Sequence, residues 1–315
     1  MPIQANGREL KNKMSTSPQV EFVSKGTYHG KHGVRVMQHR RQGGTHSIRE
    51  ITVKTLLGLN TRKEYVNSDN SDVIPTDSQK NTVYALAKAK GITTPEQFAL
   101  DLCQHFMGKY NQVQWAEITV EDAPWRRIVD QSGKEHAHAF IQTQEAKRYC
   151  VVKQERKGLP IVWAGLSDMR ILKTTQSGFA GYFQDEYTSL PETDDRIVCS
   201  NIESKWRYSN IVGVDFDKTW ELCKVAILDE FAGPPDIGRF SASIQEILYQ
   251  CTQRMMKKVA EVDQVELDMP NIHYVFADLK KIGMENTGEI IMPTSDPYGI
   301  IRVAVSRTHS TPNSL

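Results

Sequence analysis

An α+β fold of two successive ββααββ units follows from three features of the 315-residue sequence. Strand-like alternation recurs in both halves, each half carries a pair of amphipathic helices, and strands bracket each pair. Antiparallel sheets with helices on one face satisfy that order. Each sheet must then bury its other face and its edges elsewhere. That predicts an oligomer closed into a barrel across subunits, with sites at the seams.

The first unit covers 19–145. Strands at 19–40 and 46–59 contain the period-two runs Val34-Arg-Val36 and Ile48-Arg-Glu-Ile51-Thr-Val53. A helix over 77–90 stops at Gly91. The next opens at Thr94-Pro-Glu-Gln97, a capping box with proline at the first helical position, and sets Phe98, Leu102 and Phe106 on one face. Strands at 113–120 and 136–142 close the unit, the latter after a Ser132-Gly133 turn.

The second unit covers 146–307. Strands near 147–156, 161–174 and 196–208 precede a helix over 217–231 with Trp220, Cys223, Ile227 and Phe231 on one stripe. Gly233-Pro-Pro235 ends it, and Ser243-Ile-Gln-Glu246 caps a helix running to about 259. Strands at 264–269 and 272–279 complete the unit. Residues 1–18 and 308–315 are polar and read as loose tails.

The composition is that of an ordinary soluble globular protein, with a formal charge of +1 and scattered Lys and Arg. Nucleic-acid and membrane-surface binding are poor fits to that balance. No run approaches the roughly 18 apolar residues of a membrane span, and the N-terminal segment has no apolar signal-peptide core. The five cysteines are odd in number and lack Cys-x-x-Cys spacing, which suits a reducing compartment.

Several motifs admit both a structural and a chemical reading. Pro75-Thr-Asp-Ser-Gln79 fits a capping box of Thr76 and Gln79, yet it crowds the hydroxyls and carboxylate of Thr76, Asp77, Ser78 and Thr82 together. Lys31, at the start of a strand, is either a solvated lysine or a general base beside a hydroxyl. His136-Ala-His138 sets two imidazoles on one strand face, as a metal pair or as a hydrogen-bonded pair. Phe179 lies in Gly178-Phe-Ala-Gly181, a turn with an aromatic plug or a loop where a flat ligand stacks. Arg196 either pairs with Asp194 and Asp195 or presents its planar fork to an anion. Ile244 and Gln245 fill the first turn after the Ser243 cap, where free N–H groups favour an anion. Asn271-Ile-His273 puts a polar group and an imidazole on one face.

Together these blocks resemble the urate oxidase (uricase) family, over about 20–307. The resemblance rests on Asn70-Ser-Asp-Val-Ile-Pro-Thr-Asp-Ser-Gln-Lys-Asn-Thr82, His136-x-His138-x-Phe140 and Leu172-Lys-Thr-Thr-Gln-Ser-Gly-Phe179. It continues through Asp185-Glu-Tyr-Thr188, Leu190-Pro-Glu-Thr193, Pro270-Asn-Ile-His-Tyr274, Lys281-Ile-Gly283 and Asp296-Pro-Tyr-Gly299. The resemblance implies two tunnelling-fold (T-fold) units per chain and a homotetramer with interface active sites. It implies oxidation of urate by O2 and water to 5-hydroxyisourate and hydrogen peroxide, with neither metal nor organic cofactor.

Carried onto this sequence, the resemblance makes Lys31, Thr76 and His273 a proton relay, with Thr76 donated by a neighbouring subunit. Arg196 becomes the bidentate anion clamp, Gln245 and the Ile244 N–H bind the opposite edge, and Phe179 stacks on the purine. Asn271 and Thr76 bound a small pocket for O2 and then water, and Asp77 supports the site through its backbone N–H. One departure stands out: His29 occupies the place where the family usually carries Tyr, with Tyr28 one residue earlier. Eukaryotic members imply a peroxisomal location, although the C-terminal Asn-Ser-Leu is a poor address and a cytoplasmic location is the alternative. The competing readings are a metal-dependent pterin- or purine-processing enzyme using His136 and His138, and a non-catalytic purine-binding protein on the same scaffold.

Overall fold

The computed structural model describes residues 26–143 and 145–308. The expected tail at 1–18, the start of the first strand at 19–25 and the C-terminal residues 309–315 lie outside them.

The first half runs β1 (His29–Gln42), β2 (Thr45–Leu59), a single turn α1 (Lys63–Val66), α2 (Thr76–Ala89), α3 (Pro95–Lys109) and β3 (Val113–Asp122). It ends with β4 (Trp125–Val129), β5 (Glu135–Gln142) and β6 (Lys147–Glu155). The second half runs β7 (Ile161–Lys173), β8 (Val198–Tyr208), α4 (Phe216–Ala232), α5 (Ile244–Lys258) and β9 (Val262–Asp268). Then follow β10 (Tyr274–Phe276), β11 (Ile291–Pro293) and β12 (Arg302–Ser306).

Eight strands form one antiparallel sheet in the order β1-β2-β3-β6-β7-β8-β9-β12. The β6–β7 pairing, with Cys150 opposite Ala164 and Val152 opposite Val162, fuses the two ββααββ halves into one surface. Strand alternation turns Ile51, Val53, Leu57, Ile118, Val120, Val152, Val162, Leu166, Ile202, Trp206 and Val265 to one side, all fully buried. The helices cover that side: α2 packs on β1, α3 on β3 and β6, α4 on β7, and α5 on β9 and β12. Phe98, Leu102 and Phe106 of α3 and Cys223, Ile227 and Phe231 of α4 supply the facing knobs, as their spacing predicts.

Two strand assignments differ from the sequence reading. In the main sheet the strand beside β3 is β6, not the expected strand at 136–142. The reason is burial. No residue of β5 is buried, and it folds back on β4 through the Ser132-Gly133 turn, whereas Arg148, Cys150 and Val152 of β6 alternate inward. In the second unit only Tyr274–Phe276 of the expected 272–279 strand forms, and it pairs with β11. The place beside β9 is taken by β12, with Val303 opposite Leu267 and Val305 opposite Val265.

A buried ionic clasp joins the halves. Arg148 donates to Glu96 at the start of α3 (2.7 Å) and to Asp217 at the start of α4 (2.5 Å), and Glu96 has no exposed surface. Arg49 of β2 reaches Asp217 as well (3.3 Å). Negative side chains at both helix N-termini also complement the helix dipoles. All five cysteines are buried and free. No helix among the described residues is long and apolar enough to cross a membrane.

Removing one partner of a buried pair strands the other charge. Arg148→Met is therefore expected to destabilise the fold by about 3–5 kcal/mol, read from urea unfolding midpoints at fixed protein concentration.

Candidate active site

A cleft of about 450 Å³ opens beside the β9–β12 side of the sheet, lined by Phe179, Arg196, Ile244, Gln245, Asn271 and His273, among others. That size suits a small organic ligand. Six of the residues singled out in the sequence thus meet in one place, although they span nearly a hundred positions.

The 174–196 loop is pinned from two sides. Gly178 N–H donates to the Ser241 carbonyl (3.0 Å) and Ser241 N–H to the Gln176 carbonyl (3.1 Å). Phe179 and Thr193 exchange backbone bonds of 2.7 and 3.1 Å, and Arg196 N–H donates to the Ser177 carbonyl (2.8 Å). Lys173 bridges the Arg239 carbonyl and the Ser241 hydroxyl, both at 3.0 Å. The close packing explains Gly178, where a Cβ would lie 3.1 Å from the Thr193 carbonyl and 3.2 Å from the Phe240 ring. Phe179 is thereby held half-buried, with Tyr182 stacked on it at 4.7 Å and 15°.

Arg196 does not pair with its acidic neighbours. Asp195 instead accepts from the Thr175 hydroxyl (2.8 Å). The Arg196 Nε is buried and has no hydrogen-bond partner among the described residues. Burial pushes its pKa down, and no carboxylate pulls it back. Its guanidinium lies 5.1 Å from the Phe179 ring centroid. A half-buried, unpaired cation beside an aromatic face calls for an anion, because leaving it desolvated and unpartnered is costly.

The opposite wall is the N-terminus of α5. Ser243 Oγ accepts from Glu246 N–H (3.1 Å), and the Glu246 carboxylate accepts from Ala242 N–H (2.8 Å). These caps leave the N–H groups of Ile244 and Gln245 without acceptors in their own helix. Asn271 and His273 come from a short irregular segment. It is fastened by Asn271 N–H to the Gly299 carbonyl (2.8 Å) and Ile272 N–H to the Cys199 carbonyl (3.0 Å).

Lys31, Thr76 and Asp77 do not line this cleft. They sit together at the far edge of the sheet, where α2 packs on β1. The Asp77 carboxyl is held below the usual range, chiefly by its hydrogen bond to Lys80 (2.6 Å) and in smaller part by the charge of Lys31. Thr76 is the first helical residue, Pro75 precedes it as the cap position, and no side-chain capping bond forms. The capping box read from the sequence is therefore absent, because Gln79 turns inward and is fully buried. The Thr76 hydroxyl is not spent on a cap.

From β1 to β8 and β12 the sheet order counts five and seven steps, which at about 4.8 Å per step separates the two groups by roughly 24–34 Å along the sheet. Within one chain the two groups do not meet. The resemblance gave Thr76 to a neighbouring subunit, and Lys31 lies on the same edge as Thr76.

His136 and His138 lie on the exposed β4–β5 hairpin, with rings 4.6 Å apart. His136 Nδ1 accepts from the N–H groups of His138 (3.2 Å) and Ala139 (3.0 Å). Among the described residues no group of three or more His, Cys, Asp or Glu could hold a metal ion. Tyr182 was not singled out from the sequence, although an aromatic three residues after Phe179 across a glycine turn was a usable signal.

The cleft offers a flat organic anion an aromatic ring, an unpaired arginine and a helix N-terminus. The uricase family model matches residues 27–153 and 162–302. A uricase of Danio rerio is 43% identical over 293 residues, covering 93% of this chain and 97% of the relative. One of Oryctolagus cuniculus is 42% identical over 292 residues, covering 93% and 96%. The crystal structure of uricase from Arthrobacter globiformis superposes with a TM-score of 0.85 at 30% identity, over 92% of this chain and 97% of that one. The chain belongs to the uricase family.

Replacing the arginine tests the anion site. Arg196→Gln is expected to keep the fold by circular dichroism and to weaken binding of an anionic purine roughly 10- to 100-fold, the loss of a charged hydrogen-bond pair.

Proposed function

We propose that the chain oxidises urate with O2 and water to 5-hydroxyisourate and hydrogen peroxide, at sites assembled from two copies. The observation that carries this reading is the separation of the two half-sites at opposite open edges of one sheet. Pairing the β1 edge of one copy with the β12 edge of another would close the sheets into a barrel and remove both edges. It would also bring Lys31, Thr76 and Asp77 of one copy to the cleft of the other. A homotetramer is the assembly proposed, built from two such rings.

Within that site each residue has a definite task. Arg196 clamps the urate anion through two parallel N–H donors, and the Gln245 amide with the Ile244 N–H holds the opposite edge. Phe179 supports the flat ring by stacking. Lys31, Thr76 and His273 form a proton relay, and Asn271 with Thr76 bounds the pocket over C5, where O2 and then water sit. Asp77 contributes its backbone N–H from the first turn of α2, its carboxylate being occupied by Lys80 and Asn81.

Triplet O2 reacts slowly with closed-shell molecules, so an electron donor is needed. Deprotonated urate is electron-rich and can supply that electron itself. Transfer and recombination form a C5–O bond, giving a C5 hydroperoxide once a proton is delivered. Water activated by the relay then replaces the peroxide, which leaves as H2O2 with a second proton. The product keeps one oxygen from water, and O2 leaves reduced by two electrons. The protein's contribution is positioning and proton transfer. A peroxide-producing reaction suits a catalase-containing compartment, and the peroxisome is the proposed location.

Urate absorbance and O2 uptake on chelator-treated protein test the reading. Urate absorbance and dissolved O2 are expected to fall together, one O2 per urate; neither falling in correctly assembled protein would sink it. Thr76→Ala or Lys31→Ala is expected to lower kcat by roughly 100-fold or more, as loss of general acid–base catalysis does, with KM changed far less. A rise in KM alone would contradict the relay.

A further inference from the structure

The backbone of Lys31 is tied to the segment just before Thr76 by a chain of hydrogen bonds with a fully buried centre. Thr55 of β2 and Gln79 of α2 are both polar and both have no exposed surface. The Thr55 hydroxyl donates to Gln79 Oε1 at 2.7 Å and accepts from the Lys31 N–H at 3.2 Å. Gln79 Nε2 donates to the Ile74 carbonyl at 3.2 Å. His29 Nε2 lies 2.9 Å from the same carbonyl and donates to it in the Nε2-protonated tautomer. The chain therefore starts at the backbone of Lys31 and ends two residues before Thr76.

The local backbone is shaped for this connection. Strand β1 shifts register against β2 between Lys31 and Val34: Lys31 faces Thr55, but Val34 faces Val53. This bulge re-aims Lys31. Gly30 lets the strands approach, since a Cβ there would fall 1.8 Å from the Thr55 carbonyl oxygen. On the other side, Pro75 holds φ at −52° and leads straight into Thr76. His29, the residue that departs from the family pattern, is the second fastening of β1 to this corner.

We propose that Thr55 and Gln79, with His29, are positioning residues that fix the Lys31 amine and the Thr76 hydroxyl relative to each other. The proposal rests on the relay of the proposed function. Proton transfer demands hydrogen-bond geometry held within a fraction of an ångström. Lysine is long and flexible, so anchoring its backbone to the helix that carries Thr76 limits where the amine can travel. A purely structural role would also satisfy these buried polar atoms, and the two roles separate in a kinetic cycle.

The experiment compares Thr55→Val, which keeps the shape and removes the hydroxyl, with Thr55→Ser, which keeps the hydroxyl. Each is made in the wild type and in the Lys31→Ala background, with urate turnover measured well below the unfolding temperature. The expected result is a 10-fold or greater fall in kcat for Thr55→Val, a KM within about threefold, recovery by Thr55→Ser, and less than a twofold further loss in Lys31→Ala. Gln79→Met serves the same cycle if Thr55→Val does not fold. An equal fold-loss in both backgrounds, or an unchanged kcat with only a lower unfolding midpoint, overturns the positioning role. A wild type that does not consume urate overturns the functional reading and this proposal with it; an active wild type with an uncoupled cycle overturns this proposal alone.

Discussion

An antiparallel sheet that does not close on itself keeps two edges, and the proposed site depends on what stands at them. The β1 edge carries Lys31 and, through α2, Thr76. The other side carries the cleft with Arg196, Phe179 and the start of α5. Open edges invite pairing with another chain, and proteins normally blunt or cover them. Here the strand at each edge is mostly exposed along its length. On the proposed reading, the force that covers the edges is the same one that completes the chemistry.

The core under the helices makes that division of labour possible. Because β6 pairs with β7 and Arg148 clasps Glu96 and Asp217, the two halves form one continuous layer. Helix starts do much of the local positioning. Ser243 and Glu246 cap α5 so that its first N–H groups face the cleft. Pro75 starts α2 without using the Thr76 hydroxyl. The unpaired guanidinium of Arg196 is the electrostatic counterpart: desolvated, without an acid, and set against a ring.

Local patterns were sufficient wherever the deciding interaction was local. The Thr94 and Ser243 caps, the Phe98–Leu102–Phe106 stripe and the stop at Gly91 all depend on neighbours within one turn, and they form as read. Where distant partners decide, the same reasoning failed. Gln79 looks like a capping residue until Thr55, 24 positions away, offers it a buried partner. The strand at 136–142 alternates well enough, yet has nothing to bury and leaves the main sheet, while β12 is a short run whose place beside β9 only pairing reveals. Arg196 next to two aspartates read equally as an ion pair or an anion clamp. The choice turned on Thr175 taking Asp195.

The central claim is that one site draws Thr76 and Arg196 from different copies, and mixing two inactive variants measures it directly. Thr76→Ala and Arg196→Gln protein would be co-assembled by joint refolding, with mixed oligomers confirmed by distinct tags. If the half-sites come from different copies, random mixing restores wild-type residues in roughly a quarter of the sites, as two-fold pairing statistics require. Urate oxidation should then return to about that fraction of the wild-type rate. Mixed oligomers that stay inactive would mean that each chain builds its site alone, and would contradict the account.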